Sequence, residues 1–188
     1  MSTDVLLLDQ SSHATRRERR AERRRLRRLD ALSARLAELH AIRALLQQTA
    51  EVVDAGWVQG AWFTVAGPRG SRAVTADQLD LLMDRPVIGA CLVGGVVQAA
   101  GGPSTVRTQL VQRTLDLTWH ALREDISQPV RWCPGPRVRT MHVLEMTAWN
   151  DAPERRQADV QDLLQSARTL AEVQLRRCRE ERLVLTTA

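Results

Sequence analysis

The sequence has no lysine and no tyrosine, and Phe63 and Asn150 are its only phenylalanine and asparagine. All 27 of its basic residues are therefore arginine. This bias is typical of a GC-rich genome, so arginine is not evidently chosen over lysine, although its planar fork suits phosphate. The lack of lysine also excludes a phosphate-binding loop, because the glycines of "GACLVGG" are not followed by the lysine that such a loop needs.

Cysteine and long apolar runs are scarce as well. Cys91, Cys133 and Cys178 are odd in number and widely spaced, which predicts no disulfide framework and a reducing, cytoplasmic location. Cysteines and histidines form no close ligand pair along the chain, so we predict no metal site and no cofactor. The longest apolar run, residues 86–97, is too short to cross a bilayer, and the N-terminus lacks the basic region of a signal peptide. We therefore expect no membrane association.

Positive charge is concentrated in residues 16–28, "RRERRAERRRLRR", which hold nine arginines and two glutamates. The net charge of the whole chain is +5, and because this segment contributes +7, the remainder sums to −2. Such an asymmetry predicts a localised anionic partner, nucleic acid or a ribonucleoprotein. The segment lacks the Asn and Ser side chains of a base-reading helix, which favours phosphate contacts. The expected contacts are Arg16, Arg17, Arg19, Arg20, Arg23, Arg24, Arg25, Arg27 and Arg28.

Three alternatives stay open for this arginine-rich segment. It could grip an acidic protein in a larger assembly, or it could be a solvated helix end without a partner. A basic region followed by leucines every three or four residues also invites comparison with a leucine zipper, and an oligomer through the leucine-rich helix remains an alternative. However, Arg43 interrupts the leucine stripe, and the stripe is wider than a two-stranded seam. A helix docked on its own domain explains this pattern better.

The first helix is also the longest predicted element. Ser12 or Thr15 can cap it, it contains no Gly or Pro up to Ala55, and Gly56 ends it. At about 60 Å it exceeds the roughly 35–40 Å of a compact body built from the other residues. Its basic end must therefore project from the body, unless the helix breaks or stays unfolded there.

The remaining chain predicts a mainly α fold, a compact helical domain with a small β element behind the long basic N-terminal helix. The expected organisation is a disordered tail (1–14), an arginine-rich arm (15–30), a globular domain (31–182) and a C-terminal tail (183–188). Within the globular domain, the predicted elements are a strand at 61–66, a turn at 67–70, a short helix capped by Thr75, a small-residue helix at 88–100, a helix after Ser104, a strand or ordered loop at 140–149 and a last helix from Gln157 to Arg182.

A second basic patch is predicted in "QPVRWCPGPRVR", residues 128–139. Trp132 is the tryptophan best placed to stack on a base, and its charged neighbours are Arg131, Arg137 and Arg139. The other tryptophans are expected in the core or at its rim, as is usual in small domains.

One constellation would suit an enzyme: Cys91, His142, and Asn150 or Asp151. Cysteine hydrolases use Cys, His and Asn or Asp, and a thiolate is favoured near a helix N-terminus. Yet Cys91 is flanked by Ala, Leu and Val, which favours a buried structural role. We expect "WND" to organise the loop before the last helix through backbone amides. The preferred interpretation is a non-enzymatic binding protein, with a cysteine hydrolase as an alternative.

Three motifs occur in a fixed order: "GWVQG" at 56–60, "CLVGGVVQA" at 91–99 and "WNDAPERRQADVQDLL" at 149–164. They resemble an uncharacterised family of small proteins of actinobacteria and their phages, over roughly residues 40–172. The family has no established activity, so the resemblance implies no chemistry. It implies that the leucine-rich helix docks on the body as a core helix and that the basic arm is an addition. Gly95 stands where the family has alanine.

Overall fold

A computed structural model describes residues 15–68, 70–82, 85–124, 128–130, 132–133 and 135–187. Within these ranges the chain forms a mainly helical domain with a three-stranded sheet, and the predicted fold class is confirmed. The helices are α1 (Arg16–Ala55), α2 (Leu92–Ala99), α3 (Gln109–Arg123), α4 (Pro136–Asn150) and α5 (Gln157–Thr187). The strands are β1 (Phe63–Gly67), β2 (Gly70–Val74) and β3 (Val87–Ala90), and short 3₁₀ helices span Ala76–Leu82 and Pro103–Thr105.

Helix α1 has the predicted limits because both of its ends carry stop signals. The Thr15 hydroxyl accepts from the backbone N–H of Glu18 at 3.2 Å, and the Glu18 carboxylate accepts from the Thr15 N–H. This capping box satisfies two N–H groups that lack helical partners. At the other end a Cβ on Gly56 would collide with the Ile88 carbonyl, so only glycine fits there.

The apolar stripe of α1 is buried within the domain, as the docked-helix interpretation predicts. Its buried residues are Leu32, Leu36, Leu39, Ile42, Leu45, Leu46, Thr49 and Val53. They pack mainly against α5, and also against α2 and α3. Arg43 lies outside the stripe, with its guanidinium 3.7 Å from the Glu172 carboxylate, so it does not interrupt the core.

The sheet has the order β2-β1-β3 and is antiparallel throughout. The predicted turn at 67–70 is confirmed, because Gly67 pairs with Gly70 across a hairpin and Gly70 has a φ of 118°. The prediction of one helix over 88–100 is wrong at its start. Val87–Ala90 forms β3 against β1, and the helix begins only at Leu92. The small residues of this segment suggested a helix, but the backbone N–H and C=O groups of Val87–Ala90 pair with β1 instead.

The glycines of α2 permit close approach between its backbone and neighbouring elements. A Cβ on Gly95 would lie 3.1 Å from Val53 Cγ2 and 3.3 Å from Thr49 Cγ2, both on α1. A Cβ on Gly94 would collide with the Trp62 carbonyl oxygen. Helix α2 therefore packs closely against α1 on one side and against Trp62, just before β1, on the other.

Three further predictions about the helices need correction. The strand or loop expected at 140–149 is part of α4, which begins at Pro136. Proline is favourable at this first helical position, because the backbone N–H that it lacks would have no partner within the helix. The short helix expected after Thr75 is a 3₁₀ helix. Helix α5 continues past Arg182 to Thr187. The expected disordered tail, 1–14, lies outside the described residues. Among the described helices, none is both long and apolar enough to cross a membrane.

Candidate nucleic-acid interface and buried polar clusters

One face of the arginine-rich segment is turned toward α5, which runs antiparallel to α1. Arg25 Nε donates to the Leu185 carbonyl at 2.8 Å, in the last turn of α5. Arg28 Nε and Nη2 both donate to Glu181 Oε1, at 3.0 and 2.6 Å. The guanidinium of Arg25 therefore binds a carbonyl in the last turn of α5. A positive charge is stabilising there, because the C-terminal end of a helix carries a partial negative charge.

The opposite face carries a stripe of arginines directed away from the domain. Arg16, Arg20, Arg23 and Arg27 follow a 4-3-4 spacing, which aligns them along about 17 Å of helix. All four are exposed. Open spaces between the side chains of this face are bordered by Arg16, Arg19, Arg20, Arg23, Arg24 and Arg27. Within the described ranges, no ion pair engages Arg16, Arg17, Arg20, Arg23, Arg24 or Arg27. The segment is thus divided into a face that holds α5 and a face available to a partner.

The predicted second patch is mostly occupied inside the domain. Arg139 donates from Nε and Nη2 to both carboxylate oxygens of Asp116, at 3.0 and 2.9 Å, and this carboxylate raises the pKa of Arg139 above its ordinary value. Trp132 is half-buried under the guanidinium of Arg113, 4.7 Å from the ring centroid. Arg137 is exposed on the first turn of α4, and Arg131 lies outside the described residues.

Cys91 is a buried capping residue. Its Sγ accepts from the backbone N–H of Gly94 at 3.3 Å at the start of α2. Burial, helped by the nearby carboxylate of Asp151, raises the pKa of the Cys91 thiol to about 11, although backbone N–H groups oppose this shift. The thiol therefore stays protonated at neutral pH, the reverse of what a nucleophilic cysteine requires.

Asn150 joins "GWVQG" to "WND" through a fully buried side chain. Its Oδ1 accepts from Trp57 Nε1 at 2.9 Å and from the backbone N–H of Leu92 at 3.1 Å. Its Nδ2 donates to the Val58 carbonyl at 3.1 Å and to Asp151 Oδ1 at 2.8 Å. The expectation that "WND" binds backbone amides is confirmed for the loop after α1 and the start of α2. Trp149 also contacts the loop before α5, because Arg155 Nε donates to the Trp149 carbonyl at 3.2 Å and its guanidinium lies over the Trp149 ring.

His142 does not join Cys91 and Asn150. It lies eight residues before Asn150 on α4, about 12 Å along the helix axis. Its ring instead stacks on Trp119 of α3, with centroids 3.6 Å apart and planes 8° from parallel. The structure brings Cys91, Asn150 and Asp151 together and places His142 in a different cluster.

That cluster lies between α3 and α4, which run side by side in the same direction. Asp116 pairs with Arg139, and three residues further on Trp119 stacks on His142. Trp119 Nε1 also donates to Glu145 Oε2 at 2.8 Å, and this bond is the main reason that the pKa of Glu145 is lowered. The spacing of three on both helices aligns these contacts into a ladder.

Asp116, Cys133 and His142 meet at one end of this ladder. One potential ligand atom from each lies within 4.8 Å of the others. Asp116 is buried, and Cys133 and His142 are half-buried. Sequence reasoning missed this group because its members belong to α3, a loop and α4, and no local spacing links them. The only signal was that acidic or aromatic residues on α3 and basic residues on α4 repeat with the same period.

A groove of about 860 Å³ runs along the neighbouring face of α4. Its α4 side is formed by Pro136, Arg139, Thr140, Val143, Leu144 and Thr147. Trp62, just before β1, and Asp77, in the first 3₁₀ helix, also line the groove. The groove is open, and four charged residues are among those that line it: Asp77, Arg107, Arg139 and Asp151.

Comparison with protein-family models gives one match, to a family of unknown function, DUF6197, over residues 37–170. No curated protein and no solved structure matches the chain. The matched range begins within α1, after the arginine-rich segment, and includes the Asn150 network and the α3–α4 ladder. Since it covers most of the sequence, the chain belongs to the family of unknown function DUF6197.

Proposed function

We propose that this protein binds nucleic acid, free or within a ribonucleoprotein, through phosphate contacts made by the outward face of its arginine-rich helix. The observation that carries the proposal is the division of the segment into two faces. Arg25 and Arg28 hold α5, whereas the stripe of Arg16, Arg20, Arg23 and Arg27 has no acidic partner among the described residues. An arginine stripe without internal partners is the electrostatic footprint of polyanion binding.

A preformed helix supports this proposal. The capping box at Thr15 and the docking of Arg25 and Arg28 on α5 favour the helical state before a partner arrives. Less conformational entropy is then lost on binding than for an unfolded arginine-rich tail. A straight row of guanidinium groups also tracks a phosphate backbone without reading bases.

The position of the segment supports the same function. It precedes residues 37–170, which match the family model, so we propose that binding was added to the shared body. Arg137, exposed at the start of α4, is a secondary contact. The three cysteines are free thiols, and we place the protein in the cytoplasm on that ground.

The experiment compares two sets of arginine substitutions in the full chain. The test variant replaces Arg16, Arg20, Arg23 and Arg27 with Gln, and the control replaces Arg25 and Arg28 with Gln. Affinity is measured by fluorescence anisotropy with labelled duplex and single-stranded probes over a range of salt concentrations. For six phosphate contacts the log–log salt slope of the wild type is about −5 on duplex and about −4 on single strands. The test variant should retain a slope of about −2 on duplex, while the control keeps the wild-type slope and loses affinity only through weaker preorganisation of the helix.

Two outcomes would remove the proposal. One is a test variant that binds as tightly as the wild type. The other is an equal loss of salt slope per arginine replaced in the two variants, because the effect would then follow total charge rather than the outward face. Partners captured from a lysate that survive nuclease and depend on the same four arginines would assign the face to an acidic protein.

A further inference from the structure

We propose that Asp116, Cys133 and His142 form a zinc-binding site at the junction of α3, α4 and the loop that connects them. The site is independent of the arginine-rich face. It rests on the convergence of a thiol, an imidazole and a carboxylate, each from a different segment, with ligand atoms within 4.8 Å of one another.

Each of the three side chains is held in place by a separate contact. Both oxygens of Asp116 accept from Arg139. The ring of His142 lies flat against Trp119. The residue before Cys133, Trp132, is pinned under Arg113. Contacts of this kind fix the orientation of metal ligands and are a large part of their affinity.

The ligand atoms also have electron pairs to offer. The Nδ1 atom of His142 is buried and has no hydrogen-bond partner in the described part of the chain, which is costly unless something binds it. The Cys133 thiol donates only to the Gly135 carbonyl, at 3.2 Å. Each Asp116 oxygen accepts one bond from Arg139 and keeps a second lone pair.

The donor set selects the metal. Thiolate and imidazole favour zinc over magnesium or calcium, which prefer oxygen ligands. Zinc bonds of about 2.0–2.3 Å in a tetrahedron place ligand atoms about 3.3–3.8 Å apart. Since the ligand atoms lie within 4.8 Å of one another, the largest contraction required is about 1–1.5 Å. Rotation of the Cys133 side chain about its Cα–Cβ bond can supply part of this contraction. Three protein ligands leave the fourth position to water.

The charge of the site changes when the ion binds. The Cys133 thiol loses its proton to solvent, so the thiolate and the Asp116 carboxylate carry two negative charges against three positive charges, two from zinc and one from Arg139. The site with zinc and neutral water therefore has a net charge of +1. Arg139 then remains the counter-charge of the outer Asp116 lone pairs, the arrangement in which an outer residue orients a ligating carboxylate.

The full chain, stripped with a chelator, is titrated with Zn²⁺ against a competing chromophoric chelator, and with Co²⁺ as a spectroscopic probe. We expect one ion per chain and a thiolate-to-cobalt charge-transfer band with tetrahedral visible bands. Cys133→Ser should abolish the charge-transfer band, and Cys133→Ser or His142→Asn should weaken zinc binding at least tenfold. Far-UV circular dichroism verifies that both variants remain folded, and Cys133→Ser, in a partly exposed loop, provides the test if His142→Asn unfolds.

His40→Asn and Cys178→Ser are the matched controls, because they remove a histidine and a cysteine outside the cluster. Both should bind zinc as the wild type does. The site is refuted if the full chain binds no zinc saturably, if Cys133→Ser keeps wild-type affinity, or if binding is lost in Cys178→Ser instead. Zn²⁺ should also slow alkylation of Cys133 in the wild type, and an unchanged rate at saturating zinc would contradict the proposal.

Discussion

At the scale of single residues, Asn150 links the loop after α1, the start of α2 and the end of α4. Replacing it with Asp keeps its shape and lets Oδ1 accept from Trp57 and Leu92 as before. The new oxygen, however, faces the Val58 carbonyl and the Asp151 carboxylate, which now receive no hydrogen. We expect Asn150→Asp to lower the free energy of unfolding by about 3–5 kcal/mol at pH 7, the usual cost of an uncompensated buried charge.

The pH dependence of this loss follows from the pKa of the new carboxyl. Burial beside Asp151 raises its pKa in the folded state above the unfolded value of about 3.9. Folding therefore favours the protonated carboxyl. The loss in free energy of unfolding relative to the wild type is smallest below about pH 4 and grows as the pH rises. Urea unfolding at several pH values measures it. Gln59→Ala, which removes two exposed-side hydrogen bonds to carbonyls, is the control, and a pH-independent difference would contradict the assignment.

Cysteine reactivity gives a second prediction at this scale. With the Cys91 pKa raised to about 11, only about one thiol in a thousand is ionised at pH 8, and the residue is also buried. Half-buried Cys133 should therefore be alkylated first in chelator-treated native protein, and Cys91 should react only after unfolding. Peptide mass mapping over time distinguishes them. Labelling of Cys91 at the rate of Cys133 would restore the hydrolase alternative.

At the scale of elements, the arginine-rich part of α1 depends on the last turn of α5. Arg25 donates to the Leu185 and Thr186 carbonyls, so ending the chain after Arg182 removes its contact. We expect faster amide hydrogen exchange in residues 16–28 and unchanged exchange in residues 39–53, measured by mass spectrometry. The control is Leu183→Ser, at a side chain that is 64% exposed. This variant keeps the Leu185 and Thr186 carbonyls, so its amide hydrogens should exchange at the wild-type rate. Equal protection in the truncated chain would show that the segment is helical without α5.

The contrast between α1 and α4 shows which elements a sequence can predict. Helix α1 carries its limits locally, in Thr15, Glu18 and Gly56, so its end at Ala55 was predictable to the residue and its start to one of two caps, Ser12 or Thr15. Helix α4 has a weakly periodic sequence, and its segment Met141, His142 and Val143 suits either a strand or a helix. Its identity is decided by partners on α3, which are over twenty residues away. Long-range contacts override local preference there.

At the scale of the whole molecule, the same distinction applies to function. The arginine-rich face was predictable because charge is a local property of sequence. The meeting of Asp116, Cys133 and His142 was not, because it depends on the path of the loop between α3 and α4. Charge and core are also separated in space. Residues 29–188 hold 18 arginines and 18 acidic residues, so the body is neutral and the net positive charge resides in the arm.

This separation predicts that stability and binding respond to different substitutions. Leu46, fully buried in α1, contributes to the core, and Leu46→Ala should lower the free energy of unfolding by about 2–5 kcal/mol through lost burial and a cavity. Below its unfolding transition this variant should bind the anisotropy probes with wild-type affinity and salt slope. The four-arginine Gln variant should show the converse, a wild-type urea midpoint with weakened binding. If Leu46→Ala weakened binding while still folded, the body would have to contribute to the interface, and the contact surface would extend beyond the arm.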